Sequence, residues 1–383
     1  MAQRVAQAQT QNMPRGRFES DTRESITDLA IMTPPNAGTA GQISVQQLPT
    51  AGYLSDLYFT LTGSTTSTAA QSGVAKAYPA PPWNFLRKIR VYTNMGVELV
   101  NISGYGLYLY NRVLRSSLDI HTHATADFLT YAVTNGGSNA TVRSRYFQAV
   151  VDQAVSATNT WRCGYWLPIT WGTTGKAGYQ LLQDDAVKYY FEVTWGDIND
   201  LYVSLSGTPT LSNVQVAPII RTFATPRNPM NKPDLSYSKF LLEENQALTA
   251  ASGVNTFKLV TGNMISKMIH VLENGSTLAP VDPAAVTLFR MGYANTQVPY
   301  SLNADLQLLM QEYRYCKPLP QGCYVWDLAM ALGLPELPTM RDVIDTIMLT
   351  NLQTEMTVSG LTLASSNLRT IKELLVPNRN FGG

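Results

Sequence analysis

The 383-residue sequence is poor in cysteine, in charge and in long apolar runs. Its cysteines, Cys163, Cys316 and Cys323, form an odd set without Cys-x-x-Cys spacing, so we expect reduced, buried thiols and no disulfide framework. Lys+Arg (28) and Asp+Glu (27) nearly cancel, which argues against a broad basic surface and against direct sequence-specific binding of nucleic acid. No run approaches the ~18 apolar residues that a membrane-spanning helix needs.

Polar uncharged residues take the place of the missing charge. Only 14% of residues are charged, and Thr, Ser, Asn, Gln, Gly and Pro supply the rest of the surface. Such surfaces are typical of all-β proteins and of proteins that associate, because few charges lose water at a contact. The first residues, MAQRVAQAQTQNMPRGR, lack the apolar core of a secretion signal, so we expect synthesis in the cytoplasm. The length indicates two domains of roughly 150–200 residues.

Alternation of apolar and polar residues predicts strands. Between residues 189 and 195, apolar Phe191, Val193 and Trp195 alternate with polar residues, so one face is expected to be buried. The same reasoning predicts further strands at Gln42–Gln47, Tyr53–Thr62, Phe85–Thr93, Val97–Asn101, Leu201–Leu205 and Val214–Phe223.

Two stretches change to the period of a helix, Ser103–Arg115 and Asn303–Tyr315, and each begins at a residue suited to the N-cap. The second has Leu306, Leu309 and Met310 on one face. The two starts lie 200 positions apart.

Other elements also recur in the same order on the two sides of a proline-rich linker. Glu192–Trp195 is similar to Glu355–Val358, and Cys163–Trp166 is similar to Cys323–Trp326. Weaker matches pair residues 253–262 with the strand that ends at Gly63, and residues 267–271 with residues 87–91. We interpret the chain as one β architecture built twice.

A set of strands with one short helix after the fourth, repeated across a linker, resembles the double jelly-roll major capsid proteins of the tectivirus and adenovirus lineage. The two helices and the paired closing strands carry the resemblance, which covers about Gln42 to Pro377. It implies an all-β fold of two tandem eight-stranded jelly-roll β-sandwiches, each with a short helix, plus an extended N-terminal arm. The expected boundaries are an arm at 1–40, a first jelly roll at 41–226 with a tower loop at about 117–160, a linker at 227–238 and a second jelly roll at 239–383.

The same resemblance implies a structural subunit of an icosahedral viral capsid, located in the virion. Its expected partners are two further copies in a pseudo-hexagonal trimer, neighbouring capsomers, minor capsid or penton proteins, and an internal viral membrane beneath the arm. Arg4, Arg15 and Arg17 would attract an anionic lipid surface weakly. We expect removal of the residues before about Ile26 to leave the trimer folded but to impair higher assembly. No catalytic residue, cofactor or metal site is predicted, and the protein is expected not to be an enzyme.

Several residues still suggest chemistry. Asp119, His121 and His123 share the parity of a strand with Asp127 nearby, which is a partial zinc-ligand set, although polar loop residues explain them equally simply. His270 is expected to be structural. The adjacent carboxylates Asp184–Asp185 and Glu243–Glu244 are expected to be solvated.

Tryptophans supply the main alternative function. Trp83, Trp161, Trp166 and Trp171 could form a sugar-binding platform, although such residues more often belong to a core or an interface. The alternative is therefore a two-domain β-sandwich carbohydrate-binding protein or glycosidase. A glycosidase would need a secretion signal and two separated carboxylates, and the sequence shows neither.

Overall fold

The structure is a computed structural model. It describes residues 17–66, 82–114, 130–135, 138–143, 158–171, 177–184, 186–202, 209–274, 279–293, 297–315, 319, 322–328, 343–347, 349, 351–363 and 366–378.

The first half of the chain contains eleven described strands and three described α-helices, besides a 3-10 helix at Trp83–Phe85. The helices are α1 (Arg17–Asp21), α2 (Gly104–Leu114) and α3 (Ile198–Leu201). The strands are β1 (Glu24–Asp28), β2 (Ile43–Gln47), β3 (Tyr53–Thr66), β4 (Leu86–Thr93), β5 (Glu98–Ile102), β6 (Thr130–Asn135), β7 (Ser138–Arg143), β8 (Thr158–Pro168), β9 (Gln180–Leu181), β10 (Tyr189–Trp195) and β11 (Thr210–Phe223).

The second half contains helix α4 (Ala304–Tyr315) and ten described strands. They are β12 (Tyr237–Ala247), β13 (Gly253–Leu259), β14 (Met264–Asn274), β15 (Ala279–Pro280), β16 (Val286–Tyr293), β17 (Gln297–Leu302), β18 (Cys323–Asp327), β19 (Ile344–Asp345), β20 (Leu352–Val358) and β21 (Asn367–Pro377).

Each half is a sandwich of two sheets with the same strand order. In the first half the orders are β1-β11-β3-β8 and β2-β10-β4-β5. In the second half they are β12-β21-β14-β18 and β13-β20-β16-β17. In each half the chain forms a helix on its way from the edge strand of one sheet to the edge strand of the other. Helix α2 follows β5 in the first half, and α4 follows β17 in the second. The chain is therefore two tandem eight-stranded sandwiches of one topology.

This topology confirms some of the sequence matches and corrects two others. Glu192–Trp195 and Glu355–Val358 lie in the corresponding strands β10 and β20, as predicted. Residues 253–262, however, overlap β13, which corresponds to β2 and not to the strand that ends near Gly63. Residues 267–271 lie in β14, which corresponds to β3 and not to β4. Composition alone does not distinguish strands of this kind, so their pairing in the sheets identifies which strands correspond.

Aromatic contacts across the two sheets fill both sandwiches. In the first, Phe59 of β3 lies 5.3 Å from Phe191 of β10, measured between ring centroids. In the second, Phe289 of β16 stacks on Trp326 of β18 at 4.6 Å. Sandwich cores are built in this way from the inward-facing residues of both sheets.

A parallel pairing joins the two sandwiches into one sheet. Strand β5 pairs with β12 through Val100 opposite Leu241 and Asn101 opposite Leu242. One sheet of each sandwich thereby becomes part of a continuous ten-stranded sheet. Buried apolar residues of both halves also form a single cluster, which includes Leu109 from α2 and Ile371 from β21.

The described part of the predicted arm is packed on the first sandwich. Strand β1 pairs antiparallel with β11 along its whole length. Phe18 is buried, and its ring lies 5.4 Å from that of Tyr53 and 5.0 Å from that of Tyr179. These contacts argue against the expectation that truncation before about Ile26 leaves the trimer folded, since it would remove part of a sheet and a buried aromatic residue.

Two other stretches differ from, or add to, the sequence prediction. The predicted strand Leu201–Leu205 is wrong at its start, because Ile198–Leu201 is a short helix. Asp197 caps that helix: its side chain accepts from Asn199 N, and the Asp200 side chain accepts from Asp197 N in return. Within the predicted tower loop, β6 and β7 form a hairpin, so this excursion carries strands of its own.

Candidate functional site at the contact between the two sandwiches

Helix α2 lies directly on the second sandwich. Its N-cap is Ser103, as predicted, and the Ser103 Oγ accepts from Gly106 N at 2.9 Å. A side chain at position 106 would collide with the Glu243 carboxylate of β12, and one at position 104 would collide with the carbonyl oxygen of Trp83. Two glycines on the helix therefore allow its backbone to approach both its own sandwich and the other one.

A buried ionic triad on the second sandwich receives the first turn of α2. Arg369 of β21 forms ion pairs with Glu243 of β12 and, at 2.8 Å, with Glu273 of β14. Glu243 also accepts from both the backbone N and the Oγ of Ser103, each at 2.7 Å. The Arg369 guanidinium lies over the ring of Tyr105 at 5.6 Å. The triad therefore links three strands of one sandwich to the helix of the other.

Burial and charge act in opposite directions in this triad. Burial alone would lower the pKa of Arg369, but Glu243 and Glu273 outweigh it and raise the pKa above its ordinary value. Burial raises the pKa of Glu273, and the neighbouring Arg369 opposes that rise. The arginine is therefore firmly charged, and it is what makes the buried carboxylates tolerable.

A second polar cluster lies further along the helix. Tyr110 donates its hydroxyl proton to Glu373 of β21, and Lys239 donates to the Tyr110 oxygen at 3.2 Å. Ser266 donates to the other Glu373 oxygen at 2.8 Å. Burial would raise the pKa of Glu373, but Lys239 and Lys267 outweigh it and hold the pKa below its ordinary value. The contact between the sandwiches is thus specified by paired charges as well as by apolar packing.

Helix α4, which corresponds to α2 in the second sandwich, directs polar amides inward and an apolar face toward solvent, the reverse of an ordinary amphipathic helix. Its amides face inward: Gln307 donates to the carbonyl of Val325 at 2.8 Å, and Gln311 to that of Cys323 at 3.2 Å. Four apolar or aromatic residues on the other side are exposed: Leu306, Leu309, Met310 and Tyr313. The sequence predicts the shared face of the first three, and the structure shows that this face points to solvent.

The exposed face of α4 corresponds to the covered face of α2. Counting from the N-caps Ser103 and Asn303, positions 306, 309, 310 and 313 of α4 match positions 106, 109, 110 and 113 of α2. Residues 106 and 110 are those that contact β12 and β21. The same helix face is therefore covered by a sandwich in one half and exposed in the other.

The first sandwich also carries a copy of the ionic triad. Arg221 of β11 forms an ion pair with Glu24 of β1 at 2.5 Å and lies 3.6 Å from Asp56 of β3. These strands correspond to β21, β12 and β14, which hold Arg369, Glu243 and Glu273. The Arg221 side chain is 27% exposed, against 9% for Arg369. The second copy thus has the same strands and charges, with an arginine that is more exposed.

The other residues considered from the sequence do not form a chemical site. Trp83, Trp161 and Trp171 are buried, and Trp166 donates to Asp56 at 3.1 Å, so these tryptophans belong to the core and its margin. Glu243, expected to be solvated, is instead buried in the ionic triad. The remaining residues are placed as follows: Asp184 is described, His270 is buried on β14, and Asp119, His121, His123, Asp127, Asp185 and Cys316 lie outside the described residues.

The described residues contain no group of three or more His, Cys, Asp or Glu side chains that could hold a metal ion. Cys163 and Cys323 are both buried and unpaired with one another. No helix among the described residues has the length and apolar character to cross a membrane.

Comparison by sequence finds no relatives: no family model and no curated protein matches the chain. Comparison of structures, in contrast, finds similar proteins. The crystal structure of the STIV major capsid protein aligns over 94% of this chain and 98% of its own, with a TM-score of 0.63 and 11% identity. A chain of the PBCV-1 virus capsid aligns over 92% and 94% (TM-score 0.59, 11% identity).

The major capsid protein P2 of bacteriophage PM2 aligns over 94% of this chain and 99% of its own, with a TM-score of 0.51 and 12% identity. The chain has the double jelly-roll fold. In that fold the two jelly rolls are the two sandwiches described above, and α2 and α4 are their equivalent helices. The alignments span nearly the whole length of each protein, so the likeness includes the relation between the two jelly rolls and not one of them alone.

Proposed function

We propose that the protein is a structural subunit of an icosahedral viral capsid, and that three copies form a pseudo-hexagonal capsomer. The observation that carries the proposal is the double jelly-roll fold, which the chain shares almost end to end with viral major capsid proteins. Three copies of a two-sandwich chain present six similar units, and such a trimer can tile a hexagonal lattice with one kind of subunit.

The surface suits this role. A chain with 14% charged residues and 20 tyrosines can bury surface against other subunits without desolvating many ions. The exposed apolar face of α4 adds a contiguous patch of the kind that marks a protein contact. We therefore propose a structural, non-enzymatic role in the virion, with further copies, neighbouring capsomers and penton or minor capsid proteins as partners. The arm, with Arg4, Arg15 and Arg17, is proposed to face an internal membrane.

The mass of the purified protein in solution tests this proposal. Size exclusion with light scattering is expected to give about three times the chain mass of 42.1 kDa at micromolar concentration. Negative-stain electron microscopy of the same peak should show particles with a hexagonal outline. A stable monomer at that concentration would contradict the proposal.

The carbohydrate-binding alternative lacks an observation in its favour. Three of the four tryptophans that suggested a sugar platform are buried, and Trp166 stacks against Tyr58 with 6.4 Å between ring centroids.

A further inference from the structure

We propose that the side chains of Lys267 and Asp327 condense to an amide bond in the folded chain, with Glu373 relaying a proton. The bond joins β14 to β18 within one copy. It goes beyond the proposed capsid role, because it requires only the fold and no partner. It follows from the register of three strands, the burial of the three side chains and the hydrogen bonds around them.

The three side chains lie side by side on one face of a sheet. Lys267 of β14 is opposite Asp327 of β18 on one side and opposite Glu373 of β21 on the other. Directly opposite residues of antiparallel strands have Cβ atoms about 4.5–5.5 Å apart and share a face. The Lys267 Nζ lies 3.0 Å from the Asp327 Oδ2. The fold therefore places a primary amine against one carboxyl group, with a second carboxyl group on the strand at its other side.

The surroundings of this group are apolar and closed to solvent. The Lys267 side chain is 8% exposed and the Asp327 side chain 1%. The residues two positions away on the same three strands are Ile269, Val325 and Ile371, and all belong to the apolar cluster that the two sandwiches share. Exclusion of water matters because water opposes a condensation and favours hydrolysis of its product.

The two oxygens of Asp327 differ in their partners. Oδ2 contacts Lys267 and also accepts from the Tyr315 hydroxyl at 3.0 Å. Oδ1 is buried and has no hydrogen-bond partner among the described residues. An unpartnered buried carboxylate oxygen costs free energy, so a reaction that removes Oδ1 is favoured. The Tyr315 hydroxyl stabilises the negative charge that develops on Oδ2 when Cγ is attacked.

The step starts from the ion pair and needs no oxidant, reductant or cofactor. Burial lowers the pKa of Lys267, but Asp327 and Glu373 outweigh it and raise the pKa, so the nitrogen is protonated at the start. Loss of one proton to the Asp327 carboxyl group frees the nitrogen lone pair, which bonds to Cγ. The bond from Cγ to Oδ1 then breaks. Two of the three ammonium protons leave with that oxygen as water, the second relayed by Glu373, and the third stays on the amide nitrogen.

Proximity and burial both favour the product. Reacting groups held in a fixed, favourable orientation behave as if each were present at an effective concentration of up to about 10⁵–10⁸ M. Condensation also replaces two buried charges by a neutral amide, and buried charges are costly even when they are paired.

The intact mass of the chain tests the inference directly. Wild-type protein that has folded and is then denatured should weigh one water less than its sequence. Without the bond, trypsin cleaves after Lys267 and separates residues 259–267 from residues 268–290. With the bond, that cleavage is blocked, and residues 259–290 are released joined to residues 315–341. A wild-type mass equal to that of the sequence, or a loss of water located in other peptides, would overturn the inference.

Matched variants test the roles of the residues. Lys267→Arg keeps the positive charge but cannot supply a neutral amine, so the full sequence mass is expected. The control is Lys372→Arg: Lys372 is 4% exposed and pairs with Glu244 at 2.7 Å, but Glu244 is 27% exposed, so the loss of water should be unchanged. Glu373→Gln should lower the fraction of chains that carry the bond at a given time after refolding.

Melting temperatures establish that each variant is folded, and Lys267→Met replaces Lys267→Arg if the latter is not. A loss of water that persists in the folded Lys267 variant would contradict the assignment, and an unchanged rate in Glu373→Gln would remove Glu373 from the step. The mass is independent of the number of copies in solution, so failure of this inference leaves the proposed capsid role intact, and a monomeric wild type leaves this inference intact.

Discussion

Replacing Arg369 by methionine should weaken the contact between the two jelly rolls and lower the free energy of unfolding. The substitution keeps most of the side-chain volume and removes the charge that compensates Glu243 and Glu273, of which the latter is 1% exposed. Removing one partner of a buried ion pair typically costs about 3–5 kcal/mol, because it leaves an uncompensated buried charge. We expect a loss of that size for Arg369→Met, with the matched variant Arg290→Met losing about 0–1 kcal/mol because Arg290 is 38% exposed and its partner Glu355 keeps a hydrogen bond from Gln353.

Urea unfolding followed by tryptophan fluorescence, at equal chain concentrations, measures both losses. The stability loss should also depend on pH in a direction that a simple loss of packing would not produce. Without Arg369, the folded-state pKa of Glu273 rises further above its unfolded value, so the folded state retains a proton that the unfolded chain releases as pH increases. The loss relative to wild type should therefore be smaller at pH 5 than at pH 8. A loss below about 1 kcal/mol, or one equal at both pH values, would refute this account of the triad.

Three further predictions concern single positions. Gly106→Ala should lower the melting temperature, although alanine favours an isolated helix by about 1 kcal/mol, because its methyl group collides with the Glu243 carboxylate; an increase would show that the helix can shift away. Burial, together with the nearby Lys372, lowers the pKa of His270 to about 3, so the unfolded chain takes up a proton first as pH falls below 6.5, and stability is lost at about 1.4 kcal/mol per pH unit. Unfolding of His270→Gln between pH 6.5 and 5 should lack that component, and parallel curves for variant and wild type would contradict it. Phe18→Ala should cost about 3–5 kcal/mol in chemical denaturation, since the ring packs among three buried aromatics; a neutral result would place residues 17–28 outside the folded unit.

Patterns of short range were sufficient to find most elements. The alternation around Phe191 predicts β10 because one face of that strand is buried while part of the other is not. The caps at Ser103 and Asn303 predict the starts of both helices, because each side chain accepts a backbone hydrogen bond in the first turn. These signals depend only on residues close in the sequence, so they can be recognised without knowledge of the fold.

Features that depend on distant residues were not predictable in this way. The strand β14 is buried along ten of its eleven residues, so it has no alternation to set it apart from β4, and the match of residues 267–271 to residues 87–91 was wrong. The direction in which α4 faces depends on β18, whose backbone accepts from Gln307 and Gln311. The parallel pairing of β5 with β12 joins residues about 140 positions apart. No local signal contains these contacts.

The candidate site was missed for the same reason. Arg221 and Arg369 lie on the closing strands β11 and β21, but the acidic partners of each come from two other strands. The pair Glu243–Glu244 looked solvated because adjacent carboxylates usually are, and burial of Glu243 depends on a helix from the other jelly roll.

Electron cryomicroscopy of the assembled protein, at a resolution that shows side chains, tests the central claim most directly. The account predicts a closed ring formed by three copies of the chain, in which first and second jelly rolls alternate. A ring of another copy number, or one in which the two kinds of jelly roll do not alternate, would contradict it.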